Sequence, residues 1–282
     1  MGNTAILLID CPDRKGLVAD VSGLLYRHGA NIIHADQHQD HAAGLFFMRV
    51  EWSLEEFDLE AFRAAFVPLA ERLAMHWHLE SIARRPRVAI FVSQYLHCLA
   101  DLLYRHQSGE FACEIPLIVS NHRDGDALAA FYGIEFQHIP VTRESKADAE
   151  AAELRLLEER GIDLVVLARY MQVLSPAFVE RYLSRIINVH HSFLPAFTGA
   201  RPYHAAFERG VKLIGATSHY VTEVLDDGPI IEQDVRRISH RDQVEDLIEK
   251  GRDLERVVLS RAVAWHLERR ILSYGNKTVV FD

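Results

Sequence analysis

Val88–Val92, Pro116–Val119 and Leu164–Ala168 are short, almost wholly apolar runs, and the segments between them, near residues 95–106, 124–132 and 145–160, carry apolar residues at helical spacing. A strand that is apolar on both sides must be covered on both sides, which a parallel sheet flanked by helices achieves for successive strand–helix units. The pattern predicts an α/β fold with a doubly wound, mostly parallel sheet. Ile186–Val189 adds a further run, whose C-terminal end is the edge at which such sheets hold ligands. Residues 243–272 read as one long helix laced with ion-pairing charges.

Upstream of Arg84-Arg85-Pro86-Arg87 the pattern is different. Residues 4–9 form an apolar run, turn formers follow through Gly16, and Leu17, Val18, Val21, Leu24 and Leu25 recur at helical spacing before Gly29. A second strand starts near Asn31. Phe46, Met48, Val50 and Trp52 alternate with Phe47, Arg49 and Glu51, the period of a strand with one face buried against helices. Leu59, Phe62, Phe66, Leu69 and Leu73 mark a second helix, and residues 74–82 supply a fourth strand. The order βαββαβ predicts a small ferredoxin-like domain over residues 1–83, ahead of the α/β domain over residues 87–282.

Charge and cysteine content exclude several roles. The 282 residues carry 40 acidic against 31 basic side chains, a net charge of −9, which disfavours a nucleic-acid partner. Three cysteines, Cys11, Cys98 and Cys113, form no CxxC pair, as expected in a reducing compartment. Met1–Ile6 lacks a basic region leading into an apolar one, and no run approaches a membrane span, so a cytoplasmic chain is expected. Asn276-Lys277-Thr278 fits a glycosylation sequon, but without a secretory signal it reads as a chance polar tripeptide.

The chemistry concentrates in Asn188-Val189-His190-His191-Ser192-Phe193-Leu194-Pro195 and in Leu225-Asp226-Asp227-Gly228-Pro229. Two residues apart at a strand end, Asn188 and His190 point to the same side. An amide and an imidazole suit a carbonyl oxygen becoming an oxyanion, a contact worth roughly 3 kcal/mol in comparable sites. A carboxylate can take the proton of an attacking water. Alone, Asn188 reads more often as a strand-end cap, and with 16 histidines in the chain no single one stands out by type; His191, His204 and His38 are therefore not promoted. Asp227 competes with Asp226. No HExxH or carboxylate–histidine cluster at ligand spacing occurs, so no metal is expected.

These residues, with Met171-Gln172-Val173-Leu174-Ser175-Pro176, Gly215-Ala216-Thr217-Ser218-His219-Tyr220-Val221-Thr222 and Gly228-Pro229-Ile230-Ile231, resemble the folate-dependent formyltransferase family, whose active site joins Asn-x-His to a downstream Asp in Asp-x-Gly-Pro. The resemblance selects Asp226 over Asp227, implies a catalytic set of Asn188, His190 and Asp226, and places His219 and His97 in support behind them. It implies a folate pocket at Arg169, Met171, Gln172, Val173, Leu174 and Thr222–Glu223, closed by Val179 and the Thr222–Asp226 loop. The N-terminal part resembles the ACT family of amino-acid-sensing modules through Asp13-Arg14-Lys15-Gly16-Leu17-Val18-Ala19 and Gly29-Ala30-Asn31-Ile32. Its implied effector residues are Asp13, Gly16, Leu17, Val18, Gly29, Asn31 and Ile32. Such modules either sense or only dimerise, and a homodimer or homotetramer follows from self-pairing.

An ACT module ahead of this fold resembles the branch of the family that passes the formyl group to water. Family members that formylate a sugar-phosphate amine hold the phosphate on a glycine-rich loop after their first strand. Here that place reads Ser93-Gln94-Tyr95-Leu96-His97-Cys98, without glycine. The implied reaction is hydrolysis of 10-formyltetrahydrofolate, as substrate rather than cofactor, to formate and tetrahydrofolate. The alternatives are formyl transfer to a small amine and a catalytically silent amino-acid sensor. Formylation of methionyl-tRNA fits less well, because the chain is acidic and leaves no length after Asn276 for an RNA-binding domain.

Overall fold

The computed structural model describes residues 3–81, 84–196 and 202–281. The expected end of the first domain at residue 83 lies outside the described residues, as do Met1, Gly2 and Asp282.

The chain divides into two units. The first runs β1 (Thr4–Pro12), α1 (Leu17–Arg27), β2 (Ile32–Asp40), β3 (Leu45–Ser53), α2 (Leu59–Leu73) and β4 (His76–Ser81). Its antiparallel sheet has the order β2-β3-β1-β4, the ferredoxin-like arrangement that the element order predicts. Gly16, at φ 95, turns the chain into α1, and the Asp58 side chain accepts the Ala61 N–H at 2.9 Å to start α2. Phe46, Met48, Val50 and Trp52 pack with Phe62 and Phe66 in the core, as their period of two requires.

The opposite face of β3 departs from the simple alternation. Phe47 is fully buried and Arg49 is only 6% exposed, although both lie on the face expected to meet water. For Arg49 a return of the chain supplies the cover: Arg269–Leu272 and the segment from Val279 onward belong to this first unit. Arg49 Nε donates to the Arg269 carbonyl at 3.0 Å, its Nη2 pairs with Glu51 at 3.0 Å, and Arg269 itself pairs with Glu80. Burial pushes the Glu80 carboxyl up, but His78 and Arg269 outweigh it and bring the group down to about 2. A division of the chain by position alone, with everything after residue 87 in one domain, does not contain this return.

The second unit runs β5 (Arg87–Val92), α3 (His97–Gln107), β6 (Glu114–Ser120), α4 (Asp126–Tyr132), β7 (Glu135–His138), α5 (Lys146–Glu159), β8 (Leu164–Leu167), α6 (Pro176–Arg181), β9 (Ile186–His190), α7 (Pro202–Arg209), β10 (Leu213–Tyr220), β11 (Ile230–Arg237) and α8 (Val244–Leu267). A hairpin of β12 (Ile271–Tyr274) and β13 (Lys277–Val280) follows. The seven-stranded sheet has the order β11-β10-β9-β8-β5-β6-β7, parallel from β9 to β7, with β10 and β11 antiparallel. All four residues of β8 are buried, which is why that run is apolar throughout. Strands β10 and β11 carry no sequence signal because Gly215, the buried Thr217 and Ser218, the half-buried Glu232–Asp234 and the exposed Val235–Arg237 break any apolar pattern. No described helix is long and apolar enough to cross a membrane.

Candidate active site

Asn188 and His190 sit on β9 two residues apart, and the antiparallel register of β10 sets His219 opposite Asn188. The loop between β10 and β11 then brings Asp226 over the same face. His190 Nδ1 lies 3.3 Å from Asp226 Oδ2, and both side chains are almost wholly buried, at 5% and 9% exposure. Asp227, the rival carboxylate, is exposed. Asp226 adopts φ 56, a left-handed conformation unusual for a residue with a side chain, and so does Arg169 at φ 65.

Hydrogen bonds fix the site's proton positions in sequence. His219 Nδ1 lies 2.9 Å from the Tyr220 carbonyl, which can only accept, so the proton is on Nδ1. Burial holds the His219 pKa below its ordinary value, so the ring is neutral and Nε2 is an acceptor. Asn188 Nδ2, 3.3 Å from that Nε2, is therefore the donor, and its second N–H remains for another acceptor. The neutral ring forms no ion pair with Asp226 Oδ1 at 3.8 Å. Burial raises the Asp226 pKa, but the hydrogen bond to His190 and the field of that ring outweigh it, leaving the carboxyl below its usual range. His190 Nε2 is buried with no hydrogen-bond partner. A buried polar atom without a partner is costly, so its retention beside a cavity marks a place for a ligand atom.

That cavity has a volume of about 240 Å³ and is lined by Asn188, His190, His219 and Asp226 together with the 169–174 and 221–226 segments. Arg169, Met171, Gln172, Val173, Leu174, Thr222 and Glu223 all line it. Val179 does not: it is 1% exposed on α6 and packs in the core with Phe178 and Tyr182, so it belongs to the fold and not to the pocket wall. Met171, Val173, Val224 and Leu225 are 47–62% exposed around the opening, an apolar rim suited to cover a flat heterocycle.

Ser93 ties the first strand's exit to the cavity loop. Its Oγ accepts the Met171 N–H at 2.9 Å and donates to Asn121 Oδ1 at 2.7 Å. Tyr95 stands beside it under two guanidinium groups, with Arg169 at 5.5 Å and Arg252 at 5.7 Å from its ring centre. His97 does not reach the first cavity; its Nε2 lies 2.7 Å from Glu255 Oε2 in a neighbouring one. Glu255 is 1% exposed, also accepts from Tyr203 at 2.6 Å, and lies 3.5 Å from Arg169 Nε. Burial works against its charge, but His97, Arg169 and Tyr203 hold the pKa below the ordinary value. Sequence reasoning did not single out Glu255. The signal available was an acid among Leu254, Val258 and Leu259, on the buried face of α8.

His97, Cys98 and Glu255 bring three possible ligand atoms within 4.8 Å of one another. A cation there would have to break the His97–Glu255 bond and ionise a thiol that burial, with the Glu255 charge, holds well above its usual pKa.

A second acid supports the cavity from below. Tyr170 donates to Glu153 Oε1 at 2.7 Å, and Glu150 accepts the Ser175 N–H at 3.0 Å, so α5 holds both ends of the 170–175 segment. Burial pushes the Glu153 carboxyl up to about 7, the Tyr170 bond opposing and Glu150 adding to the rise. The folded chain thus binds a proton that the unfolded chain releases near 4.5, and stability is lost as pH rises from there through about 7. Glu153→Gln cannot titrate. Its stability relative to wild type should rise by about 2–3 kcal/mol between pH 5 and pH 8 in urea unfolding. A difference that ignores pH would remove Glu153 from this account.

In the first unit, Asp13, Gly16, Leu17 and Val18 line a concavity with Gln37, His38 and Gln39. The concavity does not include Gly29, Asn31 or Ile32, which lie at the turn from α1 into β2. Leu17, 2% exposed, is also a core residue.

Comparison with known proteins follows the same division. The family described as Formyl transferase matches residues 86–263, and the ACT domain matches residues 5–51. The chain is 56% identical over 280 residues to a formyltetrahydrofolate deformylase from Synechocystis, covering 99% of this chain and 98% of that one. A solved formyltetrahydrofolate deformylase from Pseudomonas syringae superposes with a TM-score of 0.97 at 49% identity, covering 100% of this chain and 95% of the other. A glycinamide ribonucleotide transformylase from Symbiobacterium toebii matches with a TM-score of 0.67 at 28% identity, covering 70% of this chain and 95% of the other.

Proposed function

Since the chain belongs to the formyltetrahydrofolate deformylase family and is a hydrolase, we propose that Asn188, His190 and Asp226 carry out the cleavage of 10-formyltetrahydrofolate by water to formate and tetrahydrofolate. The observation that carries this reading is the convergence of those three side chains on the wall of one cavity.

The folate occupies the cavity between the 169–174 and 221–226 segments, with Met171, Val173, Val224 and Leu225 over its ring faces. Its formyl oxygen takes the position facing Asn188 Nδ2 and His190 Nε2. Asp226 lies on the Nδ1 side of the ring, and Nε2 faces the oxygen as it gains charge. Asp226 accepts a proton from water as the water oxygen bonds to the formyl carbon. The proton then passes to the folate nitrogen as its bond to that carbon breaks, and the formic acid released loses its own proton to solvent. His219 is a positioning residue in this scheme, since its neutral Nε2 fixes which way the Asn188 amide faces.

Tyr95 between Arg169 and Arg252 supports water as the acceptor: a bulky ring fills the position where a phosphate cradle needs bare backbone. In the first unit, the concavity at Asp13–Val18 is the place for an amino-acid effector, and β2, exposed along most of its length at a sheet edge, is suited to self-pairing into a homodimer or homotetramer. The test of the reaction is incubation with 10-formyltetrahydrofolate and no amine. Formate and tetrahydrofolate should appear in equal amounts over many turnovers. An absolute requirement for an added amine would overturn the reading in favour of formyl transfer.

A further inference from the structure

A second cavity, of about 370 Å³, shares Arg169, Met171 and His191 with the folate cavity and is otherwise walled by residues that the proposed hydrolysis leaves unused. Its charges are unequal. Glu255, its buried carboxylate, already accepts from Tyr203, is bonded to His97 and has Arg169 Nε at 3.5 Å. Against that single negative charge stand two guanidinium groups. Arg169 is 9% exposed, and its Nε and Nη1 are buried without any hydrogen-bond acceptor. Arg252 has no carboxylate partner among the described residues, and lies with Arg169 against the Tyr95 ring. A buried guanidinium lacking acceptors is expensive unless something supplies them. One uncompensated positive charge calls for one negative charge, on a ligand small enough to sit beside Tyr95.

Hydrolysis at the neighbouring carbon makes such a ligand. His190 takes part in the proposed oxyanion contact, and His191, whose ring centre is 5.2 Å from that of His190, lines both cavities. We infer that the second cavity is a binding site for a small carboxylate, the formate released by the reaction, held between Arg169 and Arg252. The identity of the ligand rests on the hydrolytic reading; the anion site itself rests on the two guanidinium groups. Formate bound there sits apart from the folate, so tetrahydrofolate and formate can be held together.

The test uses Arg252→Gln in the full-length chain, a change at an exposed position outside the folate cavity. Tetrahydrofolate formation is followed with added sodium formate, with sodium chloride at equal ionic strength as the control. Formate should inhibit wild type in a way that saturating 10-formyltetrahydrofolate does not relieve. The inhibition constant should rise about tenfold in Arg252→Gln while kcat and KM for the folate stay unchanged. An unaltered inhibition constant, equal potency of chloride, or inhibition fully relieved by the folate would overturn the site. Inorganic phosphate binding more tightly than formate would overturn the carboxylate assignment. A titration of carbon-13 formate, observed by NMR line broadening without folate, separates the two readings. Binding lost in Arg252→Gln upholds the anion site even where turnover needs an amine, and absent binding in an active hydrolase removes this inference alone.

Discussion

Asp226→Asn should lower formate release by about 10³-fold while folate binding stays within a few-fold of wild type. The amide keeps the carboxylate's shape and its position in the loop, so the cavity is preserved. What is lost is the acceptor for the proton of water and the negative charge 3.3 Å from His190 Nδ1. In wild type the carboxyl lies below its ordinary range because His190 outweighs burial, so the base is available across neutral pH. Single-turnover formate release and equilibrium binding of a folate analogue, measured on the same preparation, check both halves of the expectation. Activity within tenfold of wild type would show that another group handles the proton.

Gly228→Ala should be nearly as damaging without touching a reacting atom. A Cβ on Gly228 would overlap the carbonyl oxygen of Tyr220, and no side-chain motion can relieve a clash with backbone. That same carbonyl accepts the His219 Nδ1 proton, which sets the His219 tautomer and through it the Asn188 amide. Moving it also shifts the loop that carries Asp226, two residues before the glycine. We expect a loss of roughly 3 kcal/mol in stability and a fall of about 100-fold in kcat, since a small misplacement of catalytic groups has an effect of that size. Asp227→Ala, one residue nearer Asp226 but exposed, should differ little from wild type in both measurements. Equal effects of the two substitutions would show that the loop tolerates the change and that close backbone approach is not what holds it.

The parallel strands were legible because burial on both faces requires apolar residues at every position, as in Leu164–Leu167. Asn188 and His190 were legible as a pair because alternate residues of a strand share a face. Asp226 could be separated from Asp227 only through the family pattern, since both fit the same turn; in the folded chain the difference is plain, one facing His190 and the other solvent. Val179 shows the opposite error. The family resemblance implied a wall residue, but helical geometry turns it into the core beside Phe178.

Sequence alone determined the two architectures, the strand that carries the amide and imidazole, and the chemistry that those groups allow, because periodicity and local spacing are properties of neighbouring residues. Tertiary structure alone decided the pairing of His219 with Asn188, the burial of Glu255 among His97, Tyr203 and Arg169, and the return of the C-terminal segment to Arg49. Those relations join residues 31 to 220 positions apart. Which charges lose water and which find partners depends on that long-range packing, and no local pattern encodes it.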